Sequence, residues 1–288
     1  MARATTSGRR QAVVRRVQRV GLYVLAVVVG FAMLMPLVWL VRSSFMGMGQ
    51  IFRFPPEWIP DPWRLQNYPE ALTTVPLFPL YFRNTMTILV PTVVGTVLTA
   101  SISAFGFSRL HWPGRDVVFG VLLTALMLPY AVTLIPTFLL WSNLGLVNTY
   151  WPLIVPHWFG GNIFFVFLLR QFFRTIPTEL DQAAVIDGAN PLQILFRIIL
   201  PLSRPALITA AIFSGLFAWN DFLGPLVYLH DSRYFTLALG LSQFTGMYTS
   251  MWHLLMAAAT MIILPVLILF FFAQRYFIEG ITLTGTKG

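Results

Sequence analysis

Few residues of this 288-residue sequence are of types that do acid–base or metal chemistry, and they are dispersed. No metal-ligand or nucleophile motif accompanies the histidines. These are His111, His157, His230 and His253. The absence of cysteine excludes a thiolate nucleophile, a disulfide framework and a cysteine-based zinc site. The sequence therefore disfavours a hydrolase and predicts neither catalytic residues nor a metal site.

The most informative polar stretch, residues 177–201, lies between two apolar runs. Thr178, followed three residues later by Asp181, fits a capping box that would start a helix. Gly188 suits the left-handed conformation that follows many helix ends. The pattern predicts a short helix over residues 179–187.

A second helix is predicted immediately downstream. Asn190 is a good N-cap, Pro191 suits the first helical position, and Gln193 completes the capping pattern. The helix should end at Pro201. The segment is therefore expected to form a helix-turn-helix on the membrane face, with small residues that let a partner approach closely. These small residues are Ala183, Ala184 and Gly188.

Composition places this segment in a membrane protein. Hydrophobic residues make up 57% of the chain and charged residues only 10%, whereas soluble domains carry about a quarter charged residues. A bilayer core of about 30 Å needs about 20 mostly apolar helical residues. Six segments qualify: residues 20–41, 85–107, 117–141, 151–169, 206–228 and 254–273. We predict an all-α integral membrane protein with six transmembrane helices.

Arginine and lysine positions predict the orientation, because cytoplasmic loops near span ends are enriched in them. With the N-terminus inside, most basic residues are cytoplasmic. These are Arg3, Arg9, Arg10, Arg15, Arg16, Arg19, Arg109, Arg115, Arg170, Arg174, Arg197, Arg204, Arg275 and Lys287. The residues left outside are Arg42, Arg53, Arg64, Arg83 and Arg233. Because the basic residues lie between apolar runs, the net charge of +9 does not indicate nucleic-acid binding.

The predicted organisation follows from these spans. Its parts are a basic cytoplasmic N-terminus (1–19), a first transmembrane helix (20–41), an extracytoplasmic loop (42–84), a core transmembrane domain (85–276) containing the 177–201 segment, and a cytoplasmic C-terminal tail (277–288). The first apolar run has 22 residues and no cleavage pattern, so we expect it to be retained. The proline- and tryptophan-rich outer loop favours interfacial anchoring, and contact with an external solute-delivery protein is the alternative.

The 177–201 segment resembles the EAA loop of ABC importer permeases. That pattern is Glu-Ala-Ala, three residues, Gly, about nine residues, a hydrophobic residue and Pro, and this sequence matches it from Ala183 to Pro201. In that family the loop is a coupling helix that docks into a cleft of the ATPase subunit. The resemblance implies a coupling role for Glu179, Asp181, Gln182, Ala183, Ala184, Asp187, Gly188, Ala189, Leu200 and Pro201. The ordinary alternative is an amphipathic interfacial helix.

One position departs from the family pattern. Gln182 stands where the leading glutamate is expected, which keeps the hydrogen-bonding capacity but removes the charge. A charge-assisted bond to an ATPase arginine would become a neutral bond of about half the strength. Glu179 and Asp181 are the nearby carboxylates that could supply the charge instead.

Most of the chain resembles the maltose-type carbohydrate permeases, a branch of the type I ABC importer permease fold. The resemblance is carried by Phe82-Arg83-Asn84-Thr85, Phe107-Ser108-Arg109-Leu110, Leu144 to Trp151, Trp219-Asn220-Asp221 and the ending Gly280 to Gly288. In the maltose system the matching tail reaches into the ATPase dimer interface. The resemblance therefore implies an ATPase contact at Thr284, Gly285, Thr286, Lys287 and Gly288.

The sequence contains no Gly-x-x-x-x-Gly-Lys-[Ser/Thr] loop, so energy is expected from a partner. The resemblance implies an assembly with a second homologous permease, two ATPase subunits and an extracytoplasmic solute-binding protein, embedded in lipid. No cofactor is expected on this chain, with ATP and Mg²⁺ on the ATPase partners. The expected location is the bacterial inner membrane, multi-pass, with both termini cytoplasmic.

Two transporter alternatives stay open. An ion-coupled secondary transporter needs ionisable groups inside the membrane, and only Asp221 approaches that requirement. Asp221 has two interpretations, a pathway residue or a structural contact. An importer for amino acids or peptides is the nearer alternative, although the tail favours the sugar branch. Predicted translocation-path residues are Phe138, Asn143, Phe164, Asn220 and Asp221.

Overall fold

The computed structural model describes residues 5–75, 78–160, 162–246 and 250–285, with side chains placed for residues 15–16 and for described residues between 18 and 274. The described backbone is helical or irregular, apart from one antiparallel bridge between Thr245 and Ser250. The α-helices are α1 Thr5–Ser44, α2 Met48–Ile51, α3 Asn67–Thr74, α4 Phe78–Ser108, α5 Arg115–Thr124, α6 Tyr130–Asn143, α7 Trp151–Ile154, α8 Ile163–Phe173, α9 Glu179–Ile186, α10 Pro191–Ile194, α11 Leu200–Leu202, α12 Arg204–Asn220, α13 Leu223–Tyr228, α14 Leu237–Gly240 and α15 Trp252–Gly285. Tighter 3₁₀ turns occupy Ala125–Met127, Val155–Trp158, Ser232–Tyr234 and Leu241–Phe244.

Among the described residues, four helices are long and apolar enough to cross a membrane. They are Gln18–Ser44, Phe78–Ser108, Trp151–Phe173 and Trp252–Gln274. Two bent helix pairs bring the number to as many as six if each pair is one span. These helices overlap the first, second, fourth and sixth predicted segments, so the all-helical class and the membrane character are confirmed.

The third predicted segment is broken rather than straight. Arg115–Met127 and Tyr130–Asn143 meet at an angle of 98°. Pro129 is the N-cap of α6 in extended conformation, with φ −61° and ψ 136°. Proline has no N–H to donate and disfavours helical backbone in the residue before it, so the chain changes direction here.

The fifth predicted segment, 206–228, is wrong in its extent. Helix α12 ends at Asn220, and the second bent pair joins Pro191–Leu202 to Arg204–Asn220 at 82°. Asp221 ends α12 because its backbone is extended, with φ −66° and ψ 114°. The Asp221 Oδ1 accepts a hydrogen bond at 3.0 Å from the N–H of Gly224, which lies in the first turn of α13.

The predicted helix end at Pro201 is also displaced. A π-helical turn over Leu195–Ile199 carries the chain through Pro201 to the end of α11 at Leu202. Proline cannot donate to the preceding turn and crowds the carbonyl four residues earlier, so a wider turn relieves the clash.

By its internal contacts the chain divides into two units, one comprising Met1–Ala71 with Met251–Thr260 and the other Leu72–Ser250 with Met261–Gly288. In the first unit, the loop after α1 is closed by a buried asparagine. The amide of Asn67 donates to the carbonyls of Ser44 at 2.8 Å and Met46 at 2.9 Å. The guanidinium of Arg42 lies 4.1 Å from the ring centroid of Trp39. These contacts give the loop after α1 a defined conformation.

The second unit is organised around α4, which packs against α8 and α12. Its core includes Ala104, Leu169, Phe173, Leu195 and Ala210, each fully buried. Small residues allow close approach, since a Cβ on Gly95 would lie 2.6 Å from the Trp158 ring. This core positions both the polar 177–201 segment and the cavities described below.

Candidate functional site

The segment 177–201 adopts the helix-turn-helix that its sequence predicts. Gly188 has a φ of +83°, a left-handed conformation that glycine adopts without strain. Asn190 forms the predicted capping box, because its Oδ1 accepts from the Gln193 N–H at 2.9 Å and the Gln193 Oε1 accepts from the Asn190 N–H at 2.8 Å. The turn between α9 and α10 is therefore fixed by local hydrogen bonds.

The capping box predicted for Thr178 is not formed. Thr178 has helical backbone angles, φ −73° and ψ −17°, and its side chain makes no capping hydrogen bond. An N-cap needs extended backbone so that its side chain can reach back to the first turn. The Asp181 carboxylate turns instead toward Arg109.

Arg109 anchors the start of α9 to the rest of the second unit. Its Nη1 lies 3.1 Å from the Asp181 Oδ2. Its Nη2 donates to the carbonyls of Phe173 at 2.6 Å and Ile176 at 2.7 Å. The Arg109 side chain is 4% exposed and that of Asp181 is 19% exposed. One guanidinium thus joins the residue after α4, the end of α8 and the first turn of α9.

The electrostatic balance at Asp181 follows from this burial. Desolvation raises the pKa of the Asp181 carboxyl above its ordinary value, while the neighbouring Arg109 lowers it, and desolvation is the larger effect. The Asp181 Oδ2 is paired with Arg109 inside the chain, whereas Glu179 is exposed.

A second arginine stabilises the neighbouring turn. Arg170 donates through Nε to the Phe107 carbonyl at 3.0 Å and through Nη2 to the Asp116 Oδ1 at 3.1 Å. Its guanidinium carbon also lies 4.1 Å from the Phe119 ring centroid. Arg115 approaches the same carboxylate oxygen at 3.3 Å. The end of α4 and the start of α5 are therefore held against α8.

The outward side of α9 combines small, polar and apolar side chains. Gln182, Ala183, Asp187 and Gly188 line this side, and Ile186 at the C-terminal end is 85% exposed. The prediction that Ala184 belongs to this accessible surface is wrong. Ala184 is 8% exposed and packs in the core, because it lies on the inward side of α9. Ala189 and Leu200 are half-buried, and Pro201 is exposed.

The predicted ATPase-contacting tail, Thr284 to Gly288, cannot be compared in the same way. The backbone of α15 continues to Gly285, but the side chains of Thr284 and Gly285 and all of residues 286–288 lie outside the described residues.

Two adjoining cavities lie within the second unit. One of about 510 Å³, the α6–α13 cavity, is lined by residues that include Tyr130, Thr137, Trp141, Asp221 and Tyr228. The other, of about 720 Å³, is the α5–α8 cavity. Its lining residues include Ser103, Leu126, Phe159, Asn162 and Val166. Both cavities are lined by Tyr130, Thr133, Pro156 and His157.

One face of α6 supplies much of the polar lining. Tyr130, Thr133, Thr137 and Trp141 recur at spacings of three and four residues, so they share a side of the helix. The Tyr228 hydroxyl donates to the Thr137 Oγ1 at 3.1 Å. Sequence reasoning missed these residues, although the helical spacing after Pro129 was a visible signal.

His157 lies where the two cavities adjoin. Its Nδ1 is 3.1 Å from the Thr96 Oγ1, and its carbonyl accepts from the Thr99 Oγ1 at 3.1 Å. These bonds to α4 fix the imidazole in place. His157 is therefore a satisfied polar residue beside the cavities, and the described residues contain no cluster of three or more potential metal ligands.

Of the five predicted path residues, Asp221 lines the α6–α13 cavity. Phe138 stacks against the cavity residue Tyr228, with ring centroids 6.2 Å apart. Asn220 is exposed and donates to the Leu216 carbonyl of its own helix at 2.9 Å. Asn143 and Phe164 are exposed and do not line either cavity.

Comparison with known proteins decides the family. Residues 95–282 match the family described as binding-protein-dependent transport system inner membrane component. The chain belongs to this family. It is therefore a membrane transport subunit, and its EAA-like segment and cavities lie largely inside the matched region.

Individual relatives agree with this assignment. The chain is 37% identical over 262 residues to the arabinooligosaccharides transport system permease protein AraQ of Halalkalibacterium halodurans, covering 90% of this chain and 93% of the relative. It is 34% identical over 254 residues to the probable ABC transporter permease protein YurM of Bacillus subtilis, covering 88% and 83%. These relatives share nearly the whole length of the chain.

A solved structure shows the same fold. A chain of a bacterial ABC transporter involved in the import of the acidic polysaccharide alginate superposes with a TM-score of 0.78, covering 96% of this chain and 100% of that chain. Its sequence is 24% identical to this one. The family member described here therefore has the fold of an ABC importer permease.

Proposed function

We propose that this chain is one permease subunit of an ATP-driven importer for a sugar or sugar-like solute. Six spans with both termini cytoplasmic fit the basic-residue distribution, with Arg204–Asn220 as the membrane part of the second bent pair and Pro191–Leu202 on the cytoplasmic side. A second homologous permease would complete the path, and an extracytoplasmic protein would deliver solute. Carbohydrate names among the relatives, such as AraQ, support a sugar.

The exposed end of α9 is the observation that carries this proposal. Ile186 is 85% exposed and neighbouring Val185 is 60% exposed, although both are apolar. Exposed apolar residues on a short, firmly anchored helix are typical of a protein docking site. Arg109 and the Asn190 capping box fix this helix, so a displacement of α9 would be transmitted to α4 and α8.

The energy-coupling step follows from that connection. ATP and Mg²⁺ would bind the two ATPase subunits, and this chain itself would bind neither. Closure of the ATPase pair would move α9, and the permease pair would change from inward-facing to outward-facing. ATP hydrolysis would then return the assembly to the inward-facing state. ATP thus acts as a ligand that shifts the population between the inward-facing and outward-facing states.

Co-purification tests the proposal. The tagged chain, purified in mild detergent, should bring down a second permease and an ATPase. Ile186→Asp should reduce ATPase recovery at least tenfold, because it places a charge in an apolar docking contact. Leu144→Asp is the matched control, since Leu144 is 58% exposed and lies at the opposite end of the predicted topology.

The outcome also separates the alternatives. Equal loss of ATPase in both variants, or no loss in either, would contradict docking at α9. A wild-type chain that purifies alone and transports without ATP would instead be a secondary transporter. Stimulation of the complex by amino acids rather than sugars would contradict the solute class while leaving the coupling intact.

A further inference from the structure

The two cavities of the second unit adjoin at a break in the helical framework. Tyr130 and Thr133, in the first turn of α6, line both of them. The 98° bend between α5 and α6 lies immediately before these residues. In transport proteins, discontinuous helices commonly form the solute site, because irregular backbone is tolerated where it borders a water-filled cavity.

The lining of the α6–α13 cavity combines hydroxyl groups with aromatic rings. Tyr130, Thr133, Thr137 and Tyr228 supply hydroxyls, while Trp141 adds a broad ring. The hydroxyls of Thr133, Thr137 and Tyr228 already donate within the chain, so they offer a solute acceptor oxygens, and aromatic faces pack against apolar surfaces. The volume of about 510 Å³ is within the usual range of about 300–1,000 Å³ for small-ligand sites.

The charges around these cavities are as informative as the hydroxyls. Among the described lining residues of either cavity there is no arginine or lysine, and Asp221 is the single carboxylate. An acidic solute entering here would lose hydration without gaining a cationic partner, which is costly in a confined site. A neutral polyhydroxylated solute meets no such penalty.

The arginines of this unit are found elsewhere. A separate cavity of about 990 Å³ beside α9 is lined by Arg109, Arg115, Arg170 and Arg174. Arg109 and Arg170 are held there by Asp181, Asp116 and backbone carbonyls. Their positive charge is therefore part of the anchoring of α9 and the loop before α5, and is not available to a solute beside Tyr130.

We infer that the adjoining α6–α13 and α5–α8 cavities are a solute-contact site for neutral sugars, with Tyr130 and Thr133 at its centre. The inference rests on the proposed importer function and adds the solute class and the residues of this chain that meet it.

The absence of cysteine offers a direct test. Thr133→Cys places one thiol between the cavities with little change in side-chain size. The hydroxyl that it removes donates to the Tyr130 carbonyl of its own helix at 3.0 Å, so no bond to another helix is lost. Leu144→Cys, exposed and outside both cavities, is the matched control. Ser103→Cys reports from the α5–α8 cavity if Thr133→Cys fails to assemble.

The measurement is the rate of thiol modification on this chain in the purified, reconstituted importer. Neutral and sulfonate-bearing methanethiosulfonates are compared, without and with arabinotriose or trigalacturonate at equal concentration. In the Thr133→Cys importer, arabinotriose should slow modification at least threefold and trigalacturonate should not. For each importer, the rate with the sulfonate reagent is divided by the rate with the neutral reagent. This ratio should be at least fivefold lower in the Thr133→Cys importer than in the Leu144→Cys importer.

Several results would overturn the inference. They are absence of modification at both cavity positions, equal protection by the two trisaccharides, protection by neither, and equal protection of the Leu144→Cys control. If the unmodified importer still shows ATP-driven sugar uptake, such a result removes the site and leaves the proposed function standing. If no ATP-driven uptake of any sugar occurs, the proposed function itself fails.

Discussion

Replacement of Arg109 by alanine should detach α9 from the permease core. The guanidinium holds the Asp181 carboxylate and the carbonyls of Phe173 and Ile176. Breaking a buried ion pair by removing one partner costs about 3–5 kcal/mol, because the other charge is left uncompensated. Since the Asp181 side chain keeps 19% exposure, water replaces part of the lost interaction, and we expect about 3 kcal/mol.

The partner variant Asp181→Asn should behave differently. The amide oxygen can still accept from Arg109, whose guanidinium also keeps the carbonyls of Phe173 and Ile176 as acceptors, and the cost of burying a carboxylate disappears. Hydrogen bonds of this kind contribute about 1 kcal/mol, so Asp181→Asn should change stability by no more than about that amount. Arg109→Lys, which keeps the charge but not the planar fork, should fall between the two.

The pH dependence of Asp181→Asn gives a signed check. The pKa of Asp181 is raised above its ordinary value of 3.8, mainly by burial. A raised pKa means that the folded state favours the protonated carboxyl. The contribution of Asp181 to the free energy of unfolding is therefore fully present below pH 3.8 and is lost as the pH rises through the raised pKa. Wild type and Asp181→Asn should therefore converge in acid, with Asp181→Asn at least as stable near neutral pH.

Thermal unfolding of the purified importer in lipid discs measures these differences. Binding-protein stimulation of ATP hydrolysis is the functional readout, and Arg109→Ala should abolish it while leaving basal ATPase activity of the free ATPase subunits unchanged. An unfolding midpoint for Arg109→Ala indistinguishable from that of wild type, or an Asp181→Asn loss equal to that of Arg109→Ala near neutral pH, would refute the reasoning.

Three further predictions test other parts of the structure. Gln182→Glu should keep or strengthen ATPase association, and a clear loss in a pull-down would contradict the placement of this residue on the docking face. Asn148→Ala should lower the unfolding midpoint more than Asn148→Gly, because Asn148 has a φ of 63° and both variants lose its side-chain bonds; equal midpoints would contradict this. Gly95→Ala should destabilise by about 1–3 kcal/mol through collision with Trp158, and Trp158→Phe should restore part of the loss in the unfolding midpoint.

Local backbone chemistry explains which parts of the α9–α12 segment could be predicted. Gly188 and the Asn190 capping box depend on a few neighbouring residues, and both predictions are confirmed. The Thr178 capping box failed because Arg109, far upstream in the sequence, takes the Asp181 carboxylate. A pattern of neighbours cannot report a competing partner that only the tertiary fold supplies.

The membrane-spanning region likewise contains features that the sequence predicts and features that depend on contacts within the fold. The length of the apolar segments is sufficient to predict the helical class. It does not predict the break after α12, where the Asp221 carboxylate accepts a hydrogen bond from the Gly224 N–H. Residue type alone predicts Asn143 and Phe164 as path residues, and neither lines the two cavities. Periodicity after Pro129 indicates that Tyr130 and Thr133 share a face of α6, and both line the two cavities.

The most direct test of the central claim is solute uptake by the reconstituted chain with its co-purified partners and a binding protein. Sugar uptake should require ATP on the side of the membrane where the ATPase subunits lie. Without ATP, uptake should fall to background even when a proton gradient is imposed. Uptake by this chain alone, driven by a proton gradient and indifferent to ATP, would contradict the account.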